Sequence, residues 1–344
     1  MNNDDFFIPV SVITGVSGMD GSILAKKLLE RGHEVIGIDT WRPEGQPKNI
    51  KDVVEHERFT LETGDICEKE FIHRIITQYR PDYFYNLAAI SLVPESFKIP
   101  QRIFEVNTMA VLHMLETIRT YSPDTRFYQA STSEQIGANT QERQNTDSKM
   151  LPNSPYAIAK LASFHLVRMY REAYNLFSCN GMLWNHEGEK RGPTFVTRKV
   201  SMAVANISKG KQEKVVLGNL DTGRDWGYAD DYVEAMITMM ESDEPDDFAV
   251  ATGETHTIRE LVEEAFSNIG EEITWEEEGV DEVGVNQDGI VRVEVSKQFY
   301  RPLDVLNLNG DPTKITEKLG WRPKVTFKEL IRLMVEHDLE EVSK

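Results

Sequence analysis

The chain has 344 residues, 40% of them apolar and 28% charged, with 38 basic against 57 acidic side chains and a formal charge of −19 at pH 7. That length suits one large α/β unit or two unequal lobes, and that charge excludes a generic DNA- or RNA-binding protein, because phosphate neutralisation needs clustered Lys and Arg. Two widely separated cysteines, Cys67 and Cys179, exclude a disulfide framework or a cysteine-based zinc cluster. The first residues carry no basic region or long apolar run, and no later stretch reaches the roughly 18 apolar residues of a membrane helix, so a cytoplasmic protein with no membrane partner is expected.

Pro9 to Thr14 (PVSVIT) reads as a strand, followed by a glycine-rich turn and an amphipathic helix through Leu24, Leu28 and Leu29. Further strands are expected at Glu34–Asp39, Arg58–Thr63, Asp82–Ala88 and Thr125–Ser131, with helices over 67–79 and 101–121 between them. This alternation predicts parallel strands with helical crossovers, a Rossmann-type doubly wound α/β sheet. From Ser154 the rhythm changes to a helix from Pro155 towards Tyr174, a strand ending at Leu183-Trp184, a helix near 197–209, a short VVLG strand and a mixed tail. Residues 1–184 are therefore expected to form mainly the doubly wound domain. Residues 185–344 are expected to form mainly a smaller mixed α/β lobe, with segments returning to the first. The stretch 275–289 reads as an acidic loop, with Glu276, Glu277 and Glu278 on a solvated surface.

Between the first strand and the first helix lies Thr14-Gly15-Val16-Ser17-Gly18-Met19-Asp20-Gly21. Gly15 permits a tight turn, Gly18 lets backbone approach a pyrophosphate, and Gly21 allows close helix packing. The helix N-terminus adds free N–H groups and partial positive charge. The spacing G-x-x-G-x-x-G, in this strand–helix context, predicts binding of a nicotinamide dinucleotide in the manner of short-chain reductases. Asp39, at the end of the second strand, is placed to accept hydrogen bonds from an adenosine ribose and to repel a 2′-phosphate, which favours NAD over NADP; the alternative is a strand-end turn residue. Asp65-Ile66, after the third strand, is a candidate adenine site or simply an Asp-initiated turn.

Tyr156 and Lys160 stand four residues apart, on one helical face. An ammonium near a phenol lowers its pKa and makes it a usable base. With 11 tyrosines, such a pair arises by chance about once in a chain of this size. It gains meaning from Ser131-Thr132-Ser133-Glu134, directly after a strand, where Thr132 offers a hydroxyl to a substrate oxygen and Glu134 a second acid/base.

The chain resembles extended short-chain dehydrogenase/reductases, and most closely the GDP-mannose 4,6-dehydratase family. The resemblance spans nearly the whole chain and rests on TGVSGMDGS, FYQASTSEQIG, SPYAIAK, NHEGEKRG, FVTRKVS, LGNLDTGRDWGYADDYVEAM and YRPLDV. It implies a lyase in which Thr132, Glu134, Tyr156 and Lys160 form the catalytic set, with no metal. It implies NAD or NADP contacts at Gly15, Gly18, Met19, Asp20, Gly21, Asp65, Ile66, the turn Leu87, Ala88, Ala89 and Ser91, and also at Tyr156, Lys160, His186 and Arg191. Ser91, Asn185, Lys199, Arg224 and Arg301 match positions that hold a GDP-sugar, for which Arg supplies bidentate phosphate geometry. A homo-oligomer, dimer or tetramer, follows from the same resemblance.

The chain departs from that pattern after the second strand. Asp39-Thr40-Trp41-Arg42-Pro43-Glu44 stands where the family commonly has an Arg-Arg pair and a longer serine-rich loop. Trp184 replaces a usual Phe, and Ile90 and Leu92 replace smaller or more polar residues. These changes leave a GDP-manno-heptose 4,6-dehydratase open beside the GDP-hexose enzyme, or else are neutral repacking. A GDP-sugar 4-oxidase or epimerase on the same fold stays open too, as does a non-catalytic nucleotide-sugar sensor.

Overall fold

The computed structural model describes residues 7–40, 48–137, 143–299 and 307–344. In chain order the strands of the first half are β1 (Val10–Thr14), β2 (Glu34–Asp39), β3 (Phe59–Thr63), β4 (Tyr83–Asn86), β5 (Arg126–Thr132) and β6 (Ser178–Leu183). Then follow β7 (Asn185–Glu187), β8 (Val215–Leu217), β9 (Gly223–Arg224), β10 (Trp226–Tyr228) and β11 (Asp247–Val250). A parallel seven-stranded sheet has the order β11-β6-β5-β4-β1-β2-β3. β11 thus returns the chain from its second half to the edge of the first sheet.

Both faces of this sheet are covered, which is why its strands are apolar on both sides of the pleat. On one face Val12, Ile36, Phe84 and Phe127 pack with Ile72, Ile75 and Met114. On the other, Ile13, Val35, Tyr85 and Tyr128 pack with Leu24, Leu28 and Met236. Neighbours such as Val12 and Ile13 therefore point to opposite layers, the period-two alternation of a strand.

The remaining strands are β12 (His256–Thr257), β13 (Thr274–Glu276), β14 (Val283–Val285), β15 (Val291–Val295) and β16 (Asn307–Leu308). They form a four-stranded sheet β13-β14-β15-β8 and a three-stranded one β12-β9-β16. The stretch expected as an acidic loop includes parts of two paired strands, β13 and β14, joined by the turn 277–282. Its apolar alternation is sparse, but Ile273 and Trp275 pack on the core of this lobe and the Trp275 indole donates to Glu263 at 2.7 Å. Glu276, Glu277 and Glu278 are exposed, as expected.

The long helix expected over 101–121 is interrupted. Helical segments Pro100–Phe104 and Ala110–Tyr121 flank a π-helical turn, Glu105–Met109. The wider turn accompanies three tertiary bonds. The Asn107 amide donates to the Ile90 carbonyl at 3.1 Å and accepts from the Ile90 N–H at 3.0 Å, and the Thr108 hydroxyl donates to the Ala159 carbonyl at 2.9 Å. Such turns inside α-helices recur near functional sites.

The Trp184 ring lies in a buried cluster with Ile136, Phe164, Met182, Ala249 and Ala251. Gly310 makes room for it, because a Cβ there would lie 2.1 Å from the Ala251 Cβ and 2.9 Å from the Trp184 ring. The extra volume is absorbed by the core. Among the described residues, no helix is long and apolar enough to cross a membrane.

Candidate active site

The strand order reverses direction between β1 and β4, and at such a switch point the loops leaving the carboxyl ends diverge and open a crevice. A cleft of about 960 Å³ lies there. It is lined by Gly15, Gly18, Met19, Asp20 and Gly21 after β1, Asp39 at the end of β2, and Asp65 and Ile66 after β3. Leu87, Ala88, Ala89 and Ser91 follow β4, Thr132 and Glu134 stand at the end of β5, and Tyr156 and Lys160 come from the helix Pro155–Tyr174. Asn185, His186, Arg191, Lys199 and Arg224 complete the second-lobe wall. The structure brings all these sequence-predicted residues to one cleft; Arg301 lies outside the described residues.

The glycine loop leads into the helix α1 (Met19–Glu30). Gly15 has φ +70°, and a Cβ on it would stand 3.0 Å from the Ala88 backbone. A Cβ on Gly21 would lie 2.4 Å from the Gly15 carbonyl oxygen, so no larger residue fits between loop and helix. Asp39 accepts from the Ser17 N–H at 3.0 Å, from the Ser17 hydroxyl, and from the Thr40 N–H at 2.8 Å. Its carboxylate thus braces the loop and also lines the cleft. A close-approaching backbone, a twelve-residue helix aimed N-terminus first, and a carboxylate at the end of β2 fit a dinucleotide.

Asp65 likewise does two jobs. It accepts from the Cys67 N–H at 2.9 Å, as an Asp-initiated turn does, and pairs with Arg102 at 2.5 Å. Burial alone would raise its pKa, but these bonds hold the carboxyl below its ordinary value. Arg102 also lines the cleft. Sequence reasoning missed it, because nothing distinguishes it there from a surface charge on a helix. The turn after β4 is held from two sides. The Thr14 hydroxyl accepts from the N–H groups of Leu87 and Ala88, both at 3.1 Å, while it donates to Asn86 at 2.7 Å. Asn107 clasps Ile90 from the other side.

Thr132 caps the short 3-10 turn Ser133–Gln135, accepting from the Glu134 N–H at 3.2 Å. Tyr156 shares a side-chain hydrogen bond with Thr132, and its phenol feels the nearby charge of Glu134. Lys160 is 3% exposed and donates to the Ala130 carbonyl at 2.9 Å, its ammonium 6.0 Å from the Tyr156 ring centre. The expected depression of the Tyr156 pKa is not what the protein alone provides. Burial pushes the phenol up to about 12, Glu134 adds to this, and Thr132 and Arg191 only partly oppose it. Burial brings the Lys160 ammonium down to about 8.

That shift has a measurable sign. Between pH 8 and the ordinary 10.5 the unfolded chain holds a proton at Lys160 that the folded chain has released, so folding strengthens as pH rises through this window. Wild type is expected to gain about 3 kcal/mol relative to Lys160→Met over this range. Thermal or urea unfolding of the two proteins at several pH values checks it; parallel pH profiles would contradict it.

On the second-lobe wall, His186 is held at both ring nitrogens, by the Trp184 carbonyl and by Asp20 of α1, each at 2.8 Å, and it stacks on Tyr232. Burial works against both charges, yet their pairing holds Asp20 below and His186 above its ordinary pKa. This ion pair bolts the glycine-loop helix to β7. Both residues were expected at the cofactor, but their pairing, 166 positions apart, carries no sequence signal. Arg191 pairs with Glu187 at 2.9 Å and lies over the Phe195 ring at 3.5 Å. Lys199 donates to the Val216 carbonyl at 2.6 Å, with burial lowering its pKa. Arg224 is buried on β9 and donates to the Gly223 carbonyl at 2.8 Å. Among the described residues, no group of three or more His, Cys, Asp or Glu side chains is placed to hold a metal ion.

The model of the GDP-mannose 4,6 dehydratase family matches residues 12–334. The chain belongs to the GDP-mannose 4,6 dehydratase family. GDP-mannose 4,6 dehydratase 2 of Caenorhabditis elegans is 44% identical over 339 residues, covering 96% of this chain and 89% of that protein. GDP-mannose 4,6 dehydratase of Drosophila melanogaster is 45% identical over 344 residues, covering 97% of this chain and 87% of the relative. Among solved structures, the UDP-glucose 4-epimerase of Thermus thermophilus in complex with NAD has a TM-score of 0.79 and 29% identity, covering 96% of this chain and 98% of the other. The Rossmann-like sheet with a smaller mixed lobe is thus shared with sugar-nucleotide epimerases, and membership of the GDP-mannose 4,6 dehydratase family rests on sequence across the whole cleft.

Proposed function

We propose that the chain is a GDP-mannose 4,6-dehydratase, which removes one water from GDP-mannose to give the GDP-4-keto-6-deoxy sugar with no net change in its nicotinamide cofactor. The observation that carries this reading is Glu134, in the same cleft wall as Thr132, Tyr156 and Lys160, with its charge felt by the Tyr156 phenol. A 4-epimerase or 4-oxidase needs the hydroxyl–tyrosine–lysine group but no carboxylate to move the C5 proton.

The glycine loop, Asp39, Asp65, the 87–91 turn, Lys160, His186 and Arg191 hold the dinucleotide in this reading. Asn185, Ser91, Lys199, Arg224 and Arg301 hold the GDP-sugar, with cationic side chains for the diphosphate. When bound, an oxidised nicotinamide supplies a positive charge and a store for the hydrogen and electron pair taken from C4 until C6 accepts them. Tyr156 takes the proton of the C4 hydroxyl, and Thr132 donates to the oxygen that becomes the C4 carbonyl. Lys160 adds positive potential behind Tyr156 and orients the ribose. The C4 carbonyl acidifies the neighbouring C5–H, so the Glu134 carboxylate can remove that proton. Glu134 then passes the proton to the C6 hydroxyl, which leaves as water; the C5–C6 double bond so formed is reduced at C6, and C5 takes a proton from solvent through Glu134 while Tyr156 returns its proton to solvent.

Asp39 supports NAD over NADP, because a 2′-phosphate would meet its carboxylate. Asp39→Ala is expected to shift the NAD-to-NADP affinity ratio towards NADP by about tenfold; equal ratios for the two proteins, measured by cofactor titration, would remove Asp39 from this role. Both cysteines are free, which suits the cytoplasm. Exposed apolar side chains on two neighbouring helical segments, Phe104 and Met109 on one and Ile158 and Met169 on the other, support a homo-oligomer. Sedimentation velocity is expected to show at least a dimer; a monomer at all concentrations would contradict that.

Incubation with GDP-mannose or GDP-manno-heptose, and with NAD or NADP, followed by mass spectrometry of the product, tests the function. The expected result is loss of one water from GDP-mannose without accumulation of reduced cofactor. An unchanged mass with inversion at C4 would make the protein an epimerase, loss of two hydrogens an oxidase, and preference for the heptose would reassign the sugar. Binding without turnover would leave a sensor.

A further inference from the structure

We propose that Asp225 is a positioning residue for the nucleotide-sugar clamp, its buried carboxylate tying three chain segments together so that Arg224 is held against the cleft. The proposal rests on the reading above, in which Arg224 binds the diphosphate. Asp225 stands between Arg224 and Trp226, both of which line the cleft, yet it is itself fully buried. One carboxylate oxygen accepts from the Thr252 N–H at 2.9 Å and the Thr252 hydroxyl at 2.7 Å. The other accepts from the Gly253 N–H at 2.9 Å and the Gly310 N–H at 3.3 Å.

Those donors come from distant parts of the chain. Thr252 and Gly253 follow β11, the edge strand of the seven-stranded sheet, and Gly310 follows β16. Arg224 is paired on one side with His256 of β12 and on the other with Leu308 of β16. The carboxylate therefore knots the connections around the strand that carries Arg224, and fastens that strand to the sheet from which the catalytic residues project.

The chemistry is specific to a carboxylate. Its two oxygens offer about four lone-pair sites, and four donors occupy them. In the isosteric amide one of these atoms becomes an NH2 group, which cannot accept and would confront N–H donors. That leaves buried donors unpaired, at a cost well above that of losing a surface hydrogen bond. Asp225 touches none of the reacting atoms in the proposed mechanism, so its effect on binding passes through its cleft-lining neighbours, of which Arg224 carries the charge that meets the diphosphate.

The test is GDP binding by calorimetry to wild type, Asp225→Asn, Arg224→Ala and the double variant, with NAD(P) binding followed in parallel. Asp225→Asn is expected to weaken GDP about 10- to 30-fold and to leave the dinucleotide affinity within about threefold. The double variant is expected to bind GDP no more weakly than Arg224→Ala alone, because the two residues act as one unit. If Asp225→Asn does not fold, Thr252→Val, which deletes one donor, carries the test with a smaller loss of about threefold and the same non-additivity with Arg224→Ala. Failure of wild type to bind GDP would overturn the nucleotide-sugar reading itself. GDP binding that survives Asp225→Asn unchanged, or a loss that adds in full to that of Arg224→Ala, would overturn the proposal while leaving that reading intact.

Discussion

Glu134→Gln should lower the turnover of GDP-mannose to the 4-keto-6-deoxy product by about 10³-fold, with GDP-mannose affinity within a few-fold of wild type. The amide keeps the size of the side chain and the backbone bond that seats it, since the Thr132 oxygen accepts from the Glu134 N–H and not from the side chain. What it loses is the ability to take a proton from C5 and deliver it to the C6 hydroxyl. Oxidation at C4 depends on Tyr156 and Thr132, so it should survive. The signature is that the variant fails to place solvent deuterium at C5 of recovered substrate or product. Deuterium incorporation at the wild-type rate would assign the C5 proton to another group.

Tyr156→Phe should be as severe, at about 10³- to 10⁴-fold in kcat, but it should fail one step earlier. The phenol is buried against the helix Pro155–Tyr174 and Phe fits its space, so the fold should hold. The proton of the C4 hydroxyl then has no acceptor. Thr132 is itself a hydroxyl of high pKa, and Lys160 faces the Ala130 carbonyl. Neither oxidation at C4 nor exchange at C5 should be detected, which separates this variant from Glu134→Gln. With burial placing the Tyr156 pKa at about 12, the protein alone leaves the phenol neutral at pH 7; in the proposed mechanism a positively charged cofactor beside it would lower that pKa and populate the phenolate that takes the proton. The apparent pKa of the group controlling kcat/KM should therefore fall well below 12 once cofactor is bound. A limb that stays near 12 would contradict that lowering by the cofactor.

The parts of the site that were legible in the sequence are those where chemistry restricts residue type over a short span. The Gly15–Gly21 loop could be read because a tight turn, a ligand and a helix leave no room for side chains, and the 2.4 Å approach of a Gly21 Cβ to the Gly15 carbonyl shows why. Tyr156 and Lys160 could be read because helix geometry puts positions four apart on one face. Strand positions of the doubly wound half followed from their apolar runs. Features that join distant segments were not legible. The Asp20–His186 pair, the reach of Arg102 to Asp65 and the Asn107 clasp on Ile90 each depend on tertiary placement. The π turn at Glu105–Met109 adds one residue to a helical turn, which periodicity over 101–121 averages away. The direction of the Tyr156 pKa was misjudged because spacing places an ammonium on the same helical face but does not show the burial of the phenol, which raises it.

The most direct test of the internal transfer from C4 to C6 is to supply GDP-mannose carrying deuterium at C4 and to locate the label in the product by NMR. A GDP-mannose 4,6-dehydratase working as derived from this cleft returns the label to C6, in a product that has lost one water and with no reduced cofactor released. Label that remains at C4, or is lost to solvent or to free cofactor, would contradict it.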